Sequence, residues 1–346
     1  MFRRGQKTYV IAEIGANHNG DMELARKMIR TAKDCGSDAV KFQSWDTGIF
    51  SRTVYEENTF LKDDYRDRDD YTLKEIVAEF AVTEAELTAL KSYCDEVGIG
   101  FASTPFEPEQ VDALVRIGAP FIKVASMDLT NDYLLRHIGR TGLPVLLSTG
   151  LGTLAEIDDA VRVLEGTGNR NIVILHCVSL YPPDDSQVNL NNIDMLAEAY
   201  DYPIGYSDHT IGTEISLAAM AKGACVLEKH FTLDKDMFGW DHKVSANPEE
   251  MAAIGQGRDR IFAALGSKRR TVAPEEEEKK KAFRRSVVSQ RDIAAGEIID
   301  AEAITYRRPG TGIPPNLAHL VIGATATKAI RADSLIDWHD IDPSDA

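Results

Sequence analysis

Two histidines, His209 in Ser207-Asp208-His209-Thr210 and His230 in Glu228-Lys229-His230-Phe231-Thr232, each close a short apolar run. Imidazoles at the ends of adjacent strands can meet on one divalent ion, with water and substrate oxygens completing its shell. A lone strand-end histidine is more often satisfied by a hydrogen bond, so the pairing carries the reading. His137, His319 and His339 have no such companion. Two lysines, Lys41 in Ala39-Val40-Lys41-Phe42-Gln43 and Lys123 in Lys123-Val124-Ala125-Ser126, put ammonium groups in apolar surroundings. An unpaired buried ammonium is costly, so each needs an anion. The phosphate and carboxylate of a ligand would serve. A salt bridge to Glu13 or Asp128 is the structural alternative, and a Schiff-base lysine is a third. Thr104, Ser126, Ser148 and Ser207 could donate to the same anion.

What must position these groups is a repeated strand–helix unit. Runs near Tyr9–Glu13, Ala39–Gln43, Gly100–Thr104, Phe121–Ala125, Val145–Ser148, Ile172–Cys177, Ile204–Ser207 and Val226–His230 read as continuously buried parallel strands. Amphipathic helices follow at Asp21–Cys35, Val82–Val97, Pro108–Ile117, Asn131–Gly139, Thr153–Gly166, Asn189–Tyr200, Glu214–Gly223 and Pro248–Leu265. Thr83 and Glu86 have the spacing of a capping box. Eight such units predict an α/β fold, the (β/α)₈ TIM barrel, over residues 1–266. A doubly wound sheet would usually carry a Gly-rich turn after strand one, and none is present. Barrel active sites lie at the C-terminal strand ends. Those ends are polar throughout, with His176, Ser179 and Tyr181 expected at the end of strand six.

Two stretches interrupt the rhythm. Residues 44–71 form a polar insertion after strand two, read as a lid, an interface element or a solvated loop. Residues 267–282 form a connector in which Glu275–Glu278 precede Lys279–Lys281, predicting an exposed helix with i,i+4 pairs. Residues 283–346 change to short strands and turns, a small mostly-β domain.

The 346 residues suffice for two domains, and 43% hydrophobic content supports a large core. A net charge of −16 excludes nucleic acid and anionic membranes as main partners, but not a small anion in a local basic pocket. Cys35, Cys94, Cys177 and Cys225 show no CxxC spacing and read as packed, reduced thiols of a cytoplasmic protein. No run approaches the ~20 apolar residues of a membrane helix, and the start lacks a signal-peptide core.

Taken together, Ala12-Glu13-Ile14-Gly15-Ala16-Asn17-His18-Asn19-Gly20, Ala39–Gln43, Lys123–Ser126, Leu147-Ser148-Thr149-Gly150, Ser207–Thr210 and Glu228–Thr232 resemble the sialic acid synthases and their legionaminate and pseudaminate relatives. The tail, through Asp292-Ile293-Ala294-Ala295-Gly296-Glu297 and Arg308-Pro309-Gly310-Thr311-Gly312, resembles that family's antifreeze-like (SAF) domain. The resemblance implies condensation of phosphoenolpyruvate with an open-chain N-acetylhexosamine aldehyde, with phosphate leaving by C–O cleavage. It implies a divalent metal, Mn²⁺ or Mg²⁺, on His209 and His230 as Lewis acid. By the same resemblance Lys41, Thr104, Lys123, Ser126, Ser148, Ser179 and Ser207 look like the phosphoenolpyruvate cradle. Glu13, Gln43, Tyr181 and Asp241 look like sugar-side groups, and the catalytic step falls to Glu13, Lys41, Lys123 and Asp128. Arg308 resembles an arginine lent by the small domain of one subunit to the other's barrel, implying a domain-swapped homodimer.

Two departures bear on the sugar. Some members carry Asn where this chain has Ser179. Many read Gly-Pro-Asp-His where this chain reads Gly239-Trp240-Asp241-His242, so Trp240 either stacks on the sugar or packs under its loop. The acceptor stays open between N-acetylmannosamine, its 6-phosphate and 2,4-diacetamido-trideoxyhexoses. Two rival readings are a pyruvate-dependent aldolase using Lys123 as a Schiff base and a non-catalytic binding protein.

Overall fold

The computed structural model describes residues 1–44, 46, 78–239 and 241–342. Most of the 44–71 insertion, and Trp240, lie outside the described residues. The chain divides into two compact units, Met1–Gly266 and Ser267–Ala346.

In the first unit the strands are β1 (Tyr9–Gly15), β2 (Ala39–Gln43), β3 (Gly100–Thr104), β4 (Ile122–Val124), β5 (Val145–Ser148), β6 (Ile172–Cys177), β7 (Ile204–Asp208) and β8 (Val226–His230). The helices are α1 (Met22–Asp34), α2 (Glu84–Val97), α3 (Pro108–Ile117), α4 (Asp132–Arg140), α5 (Leu154–Glu165), α6 (Asn192–Ala199), α7 (Glu214–Ala221) and α8 (Pro248–Leu265). Among the described residues the strands form one sheet in the order β3-β2-β1-β8-β7-β6-β5-β4. β3 and β4, the ends of that order, lie side by side and complete the ring. The expected TIM barrel is the fold.

Local chemistry sets the boundaries. Thr83 and Glu86 make the reciprocal capping box that starts α2, and Gly98 ends it in the left-handed conformation that glycine adopts freely. β4 is shorter than its apolar run because Ser126–Asp128 turns into a 3₁₀ helix. The expected helix over Asn189–Tyr200 shortens to α6, and a separate single turn, Asp185–Val188, precedes it, with Asn189 left-handed between them.

Alternation of side chains along each strand gives the barrel two layers of core. Val10, Ala12, Val40, Phe42, Ile122, Val124, Leu147 and Ile174 point outward against the helices. Ile11, Ala39, Ala102, Phe121, Leu146, Val173, Leu175 and Val226 point inward and fill the lower interior. Phe2, Tyr9 and Phe121 close the N-terminal end with edge-on ring contacts at 5.3, 5.6 and 6.3 Å. Gly205 faces inward on β7, where an added Cβ would lie 2.4 Å from the Leu175 side chain and 2.8 Å from the Val226 carbonyl, so no larger residue fits.

The second unit begins with α9 (Pro274–Phe283), which buries no side chain. Its ion pairs join Glu277 to Lys280 and Glu278 to Lys281 at i,i+3 rather than the expected i,i+4. β9 (Ser286–Ser289) pairs antiparallel with β10 (Ile304–Arg307), and β11 (Thr325–Ala326) with β12 (Ile341–Asp342). Val287, Ile293, Ile299, Ile313, Val321 and Ile336 form its separate core.

Candidate functional site

The inward parity that fills the floor with apolar groups continues upward into polar ones. Two residues above Ile11, Ala39, Ala102, Phe121, Leu146, Leu175, Gly205 and Val226 come Glu13, Lys41, Thr104, Lys123, Ser148, Cys177, Ser207 and Glu228. All of these line a cavity of about 290 Å³ at the C-terminal end of the barrel. The rim adds Gln43, Ser126, Ser179, Tyr181, His209 and His230.

Both lysines are enclosed. Lys41 Nζ lies 2.7 Å from Glu13 Oε2 and donates to Thr104 Oγ1 at 2.8 Å. Lys123 Nζ lies 3.6 Å from Glu228 Oε1 and donates to the Val124 carbonyl. The Glu13 alternative foreseen for these lysines is therefore what Lys41 does, while Lys123 leans on Glu228 and not on Asp128.

Burial pushes Glu13 up to about 7, against the pull of Lys41, and the Glu228 charge adds to the rise. Burial likewise opposes ionisation of Glu228, but Lys123 and Lys41 outweigh it and hold that carboxyl below the usual range. Two neighbouring carboxyls thus separate, one poised near neutrality and the other ionised. Gln43 Nε2 donates to Glu13 Oε1 at 2.8 Å and fixes its plane. Besides Glu13 Oε2, which faces the Lys41 ammonium, three buried polar atoms of cavity-lining residues, Ser148 Oγ, Glu228 Oε2 and His230 Nδ1, have no hydrogen-bond partner among the described residues. Buried polar groups are rarely left so unless something else meets them.

The imidazoles of His209 and His230 lie with centroids 5.4 Å apart. His209 Nδ1 donates to the Val178 carbonyl at 2.8 Å, leaving Nε2 as the lone-pair nitrogen of the neutral ring. Burial opposes protonation of His209, and the hydrogen-bonded Cys177 thiol offsets it, holding the ring above its usual value. His230 is held well below its usual value by burial and by His209. Its Nδ1 lies 3.7 Å from Asp241 Oδ2. Among the described residues no group of three or more His, Cys, Asp or Glu side chains is arranged to hold a metal. An ion here would take two imidazoles from the protein and its other ligands from water or substrate. The two rings fit such an ion.

Not every expected residue joins the cavity. Asp128 is buried in the turn after β4, accepting from Asn131 at 3.0 Å, and does not line it. Asp241 stands behind His230. Arg308 belongs to the second unit, its guanidinium 5.0 Å from the Phe283 ring centroid. His176 faces the helices, bonded to the Val188 carbonyl and stacked on Tyr206. Glu228 and Cys177 were missed as site residues, although strand parity marks both: Glu228 is two before His230, and Cys177 is two after the inward Leu175.

A family model described as the NeuB family matches residues 28–270, and one described as the SAF domain matches residues 284–342. The chain belongs to the NeuB family. The N,N'-diacetyllegionaminic acid synthase of Campylobacter jejuni is 38% identical over 96% of this chain and 99% of its own length. The human N-acetylneuraminate-9-phosphate synthase is 33% identical over 95% of this chain and 91% of its own. The crystal structure of the N-acetylneuraminic acid synthetase of Leptospira borgpetersenii, solved with citrate, superposes with a TM-score of 0.69 at 33% identity, covering 80% of this chain and 90% of that one.

Proposed function

We propose that this chain is an enzyme of nonulosonic (sialic-type) acid synthesis that condenses phosphoenolpyruvate with the aldehyde of an N-acetylated hexosamine, of the N-acetylmannosamine or 2,4-diacetamido-trideoxyhexose type. The names of its relatives support the first part. The observation carrying the second is the enclosed Lys41 and Lys123, flanked by the Ser148 hydroxyl, which has no partner among the described residues, and topped by two imidazoles.

Lys41 and Lys123 hold the phosphate and carboxylate, with Thr104, Ser126, Ser148, Ser179 and Ser207 as hydroxyl donors. In the empty pocket each ammonium leans on a carboxylate. Protonation of Glu13 frees Lys41 for an incoming anion, which burial makes easy near neutral pH. Carbon 3 of phosphoenolpyruvate attacks the aldehyde carbon, water adds at carbon 2, and phosphate leaves with its bridging oxygen. The positioned charges lower the barrier because they need no reorganisation. Glu13 is placed to exchange a proton at Oε1 or Oε2, with Gln43 holding its plane. Tyr181 packs against His209 with ring centroids 4.1 Å apart and walls the acceptor side together with Gln43, while Asp241 backs His230. A divalent ion, Mn²⁺ or Mg²⁺, held by His209 and His230 would supply Lewis-acid polarisation of the aldehyde oxygen.

The proposed working form is a cytoplasmic homodimer in which the small unit of one copy lends Arg308 to the barrel of the other. No helix among the described residues is long and apolar enough to cross a membrane.

Phosphate release over a panel of candidate sugars tests the reading. It should require phosphoenolpyruvate, one sugar and the metal together. Release without sugar, or borohydride trapping of pyruvate on Lys123, would replace it with the aldolase reading.

A further inference from the structure

The residues just before the two histidines point away from the cavity, and they are ionic. Asp208 on β7 and Lys229 on β8 are register partners, each one residue before a histidine. Lys229 Nζ lies 2.8 Å from Asp208 Oδ2, with the side chains 1% and 0% exposed. Asp208 Oδ1 accepts from the Thr210 amide at 2.9 Å, the Thr210 hydroxyl at 2.8 Å and the Tyr206 hydroxyl at 3.2 Å. Oδ2 also accepts from Ser216, in the first turn of α7. Lys229 donates a second bond, at 2.6 Å, to the Thr210 carbonyl. Lys229, the neighbour of His230, therefore grips the chain on both sides of His209.

No residue of this cage lines the cavity, so the cage does not hold substrate directly. Nor is stability a sufficient reason for it, because an apolar pair of similar volume is often as stable as a buried ion pair or more so. What an ion pair adds is a fixed direction and distance. We propose that the Asp208–Lys229 cage is a positioning device that holds the His209 and His230 rings at the separation a shared divalent cation requires. The proposal rests on the metal reading above.

The test is Mn²⁺ titration of the full chain, followed by the electron paramagnetic resonance of free Mn²⁺, alongside melting temperature. Asp208→Asn should weaken Mn²⁺ binding about 10- to 100-fold, the range seen when outer partners of metal-ligating histidines are removed. The double variant Asp208→Leu/Lys229→Met should recover melting temperature without recovering Mn²⁺ affinity. Wild-type affinity in that folded double variant overturns the proposal. If these variants do not fold, Thr210→Val and Ser216→Ala each remove one hydroxyl, and unchanged Mn²⁺ affinity in both likewise overturns it. Failure of the wild-type chain to bind Mn²⁺ would refute the metal reading instead. In that case ¹⁵N-histidine spectra decide: Asp208→Asn should disturb the single His209 tautomer, and an unchanged tautomer sinks the cage as a positioning device.

Discussion

Replacing Glu13 by glutamine should remove a large alkaline penalty from folding. The Glu13 carboxyl is enclosed, and burial raises it from 4.5 to about 7 despite Lys41. Between those two values the folded chain keeps a proton that the unfolded chain has released. Stability must therefore fall as pH rises through that window, and the loss is complete above the folded value. The gap is 7 − 4.5, or 2.5 pH units; at ~1.36 kcal/mol per unit it amounts to about 3 kcal/mol. Glutamine cannot titrate. The stability of the wild type minus that of Glu13→Gln should thus drop by about 3 kcal/mol between about pH 4.5 and pH 8. Any constant offset, including the cost of leaving Lys41 facing an amide, cancels from this slope. Urea unfolding of ligand-free, metal-free protein, followed by far-ultraviolet ellipticity across that range, measures it. Two curves that stay parallel would refute the assignment of the raised carboxyl to Glu13.

Ser148→Ala removes a buried hydroxyl oxygen that has no partner among the described residues; melting temperature should hold or rise while phosphoenolpyruvate affinity falls about tenfold, and a falling melting temperature would contradict this. Gly150→Ala places a Cβ 2.2 Å from Ser179 Oγ and 2.7 Å from Ser126 Oγ; KM for phosphoenolpyruvate should rise with little thermal change, and an unchanged KM would remove both serines from the proposed cradle. Lys123→Met leaves Glu228 without the nearer of its cations; unfolding measurements should show a loss of about 3–5 kcal/mol, and wild-type stability would mean Glu228 does not depend on Lys123. Burial opposes ionisation of Asp208, but Lys229, Ser216 and Thr210 outweigh it and hold the carboxyl below 3.8. Its stabilisation should be full above the unfolded value near ~3.9 and vanish as pH falls through the folded one, a loss that acid titration of ellipticity should find missing in Asp208→Asn.

Much of the barrel was legible because parallel strands buried on both faces leave short runs rich in buried apolar residues. Ala39–Gln43, Gly100–Thr104, Val145–Ser148, Ile172–Cys177 and Val226–His230 end where the sequence indicates. The site was legible at residue types that are expensive to bury, such as Lys41 and His230. It was less so where inward and outward parity decides. His176 and Cys177 are neighbours, and the more conspicuous histidine is the one turned to the helices. Lys123 could have met Asp128 or Glu228, and the 3₁₀ turn at Ser126–Asp128 that carries Asp128 off the rim leaves no periodic signal. Clusters such as Asp208 with Thr210, Ser216 and Lys229 mix near and distant residues, so only the β7–β8 register exposes them.

The packed floor has a kinetic consequence. Ile11, Ala39, Ala102, Phe121, Leu146 and Leu175 fill the barrel below the cavity, with Phe2 and Tyr9 beneath them. Lys41 and Glu228 sit two residues lower on their strands than Gln43 and His230, about 7 Å at ~3.3 Å per residue. A vessel closed below and two storeys deep loads from the bottom. Under the proposed roles, the enol phosphate gripped by the lower storey enters before the sugar, and the sugar above shuts it in until bond formation is done.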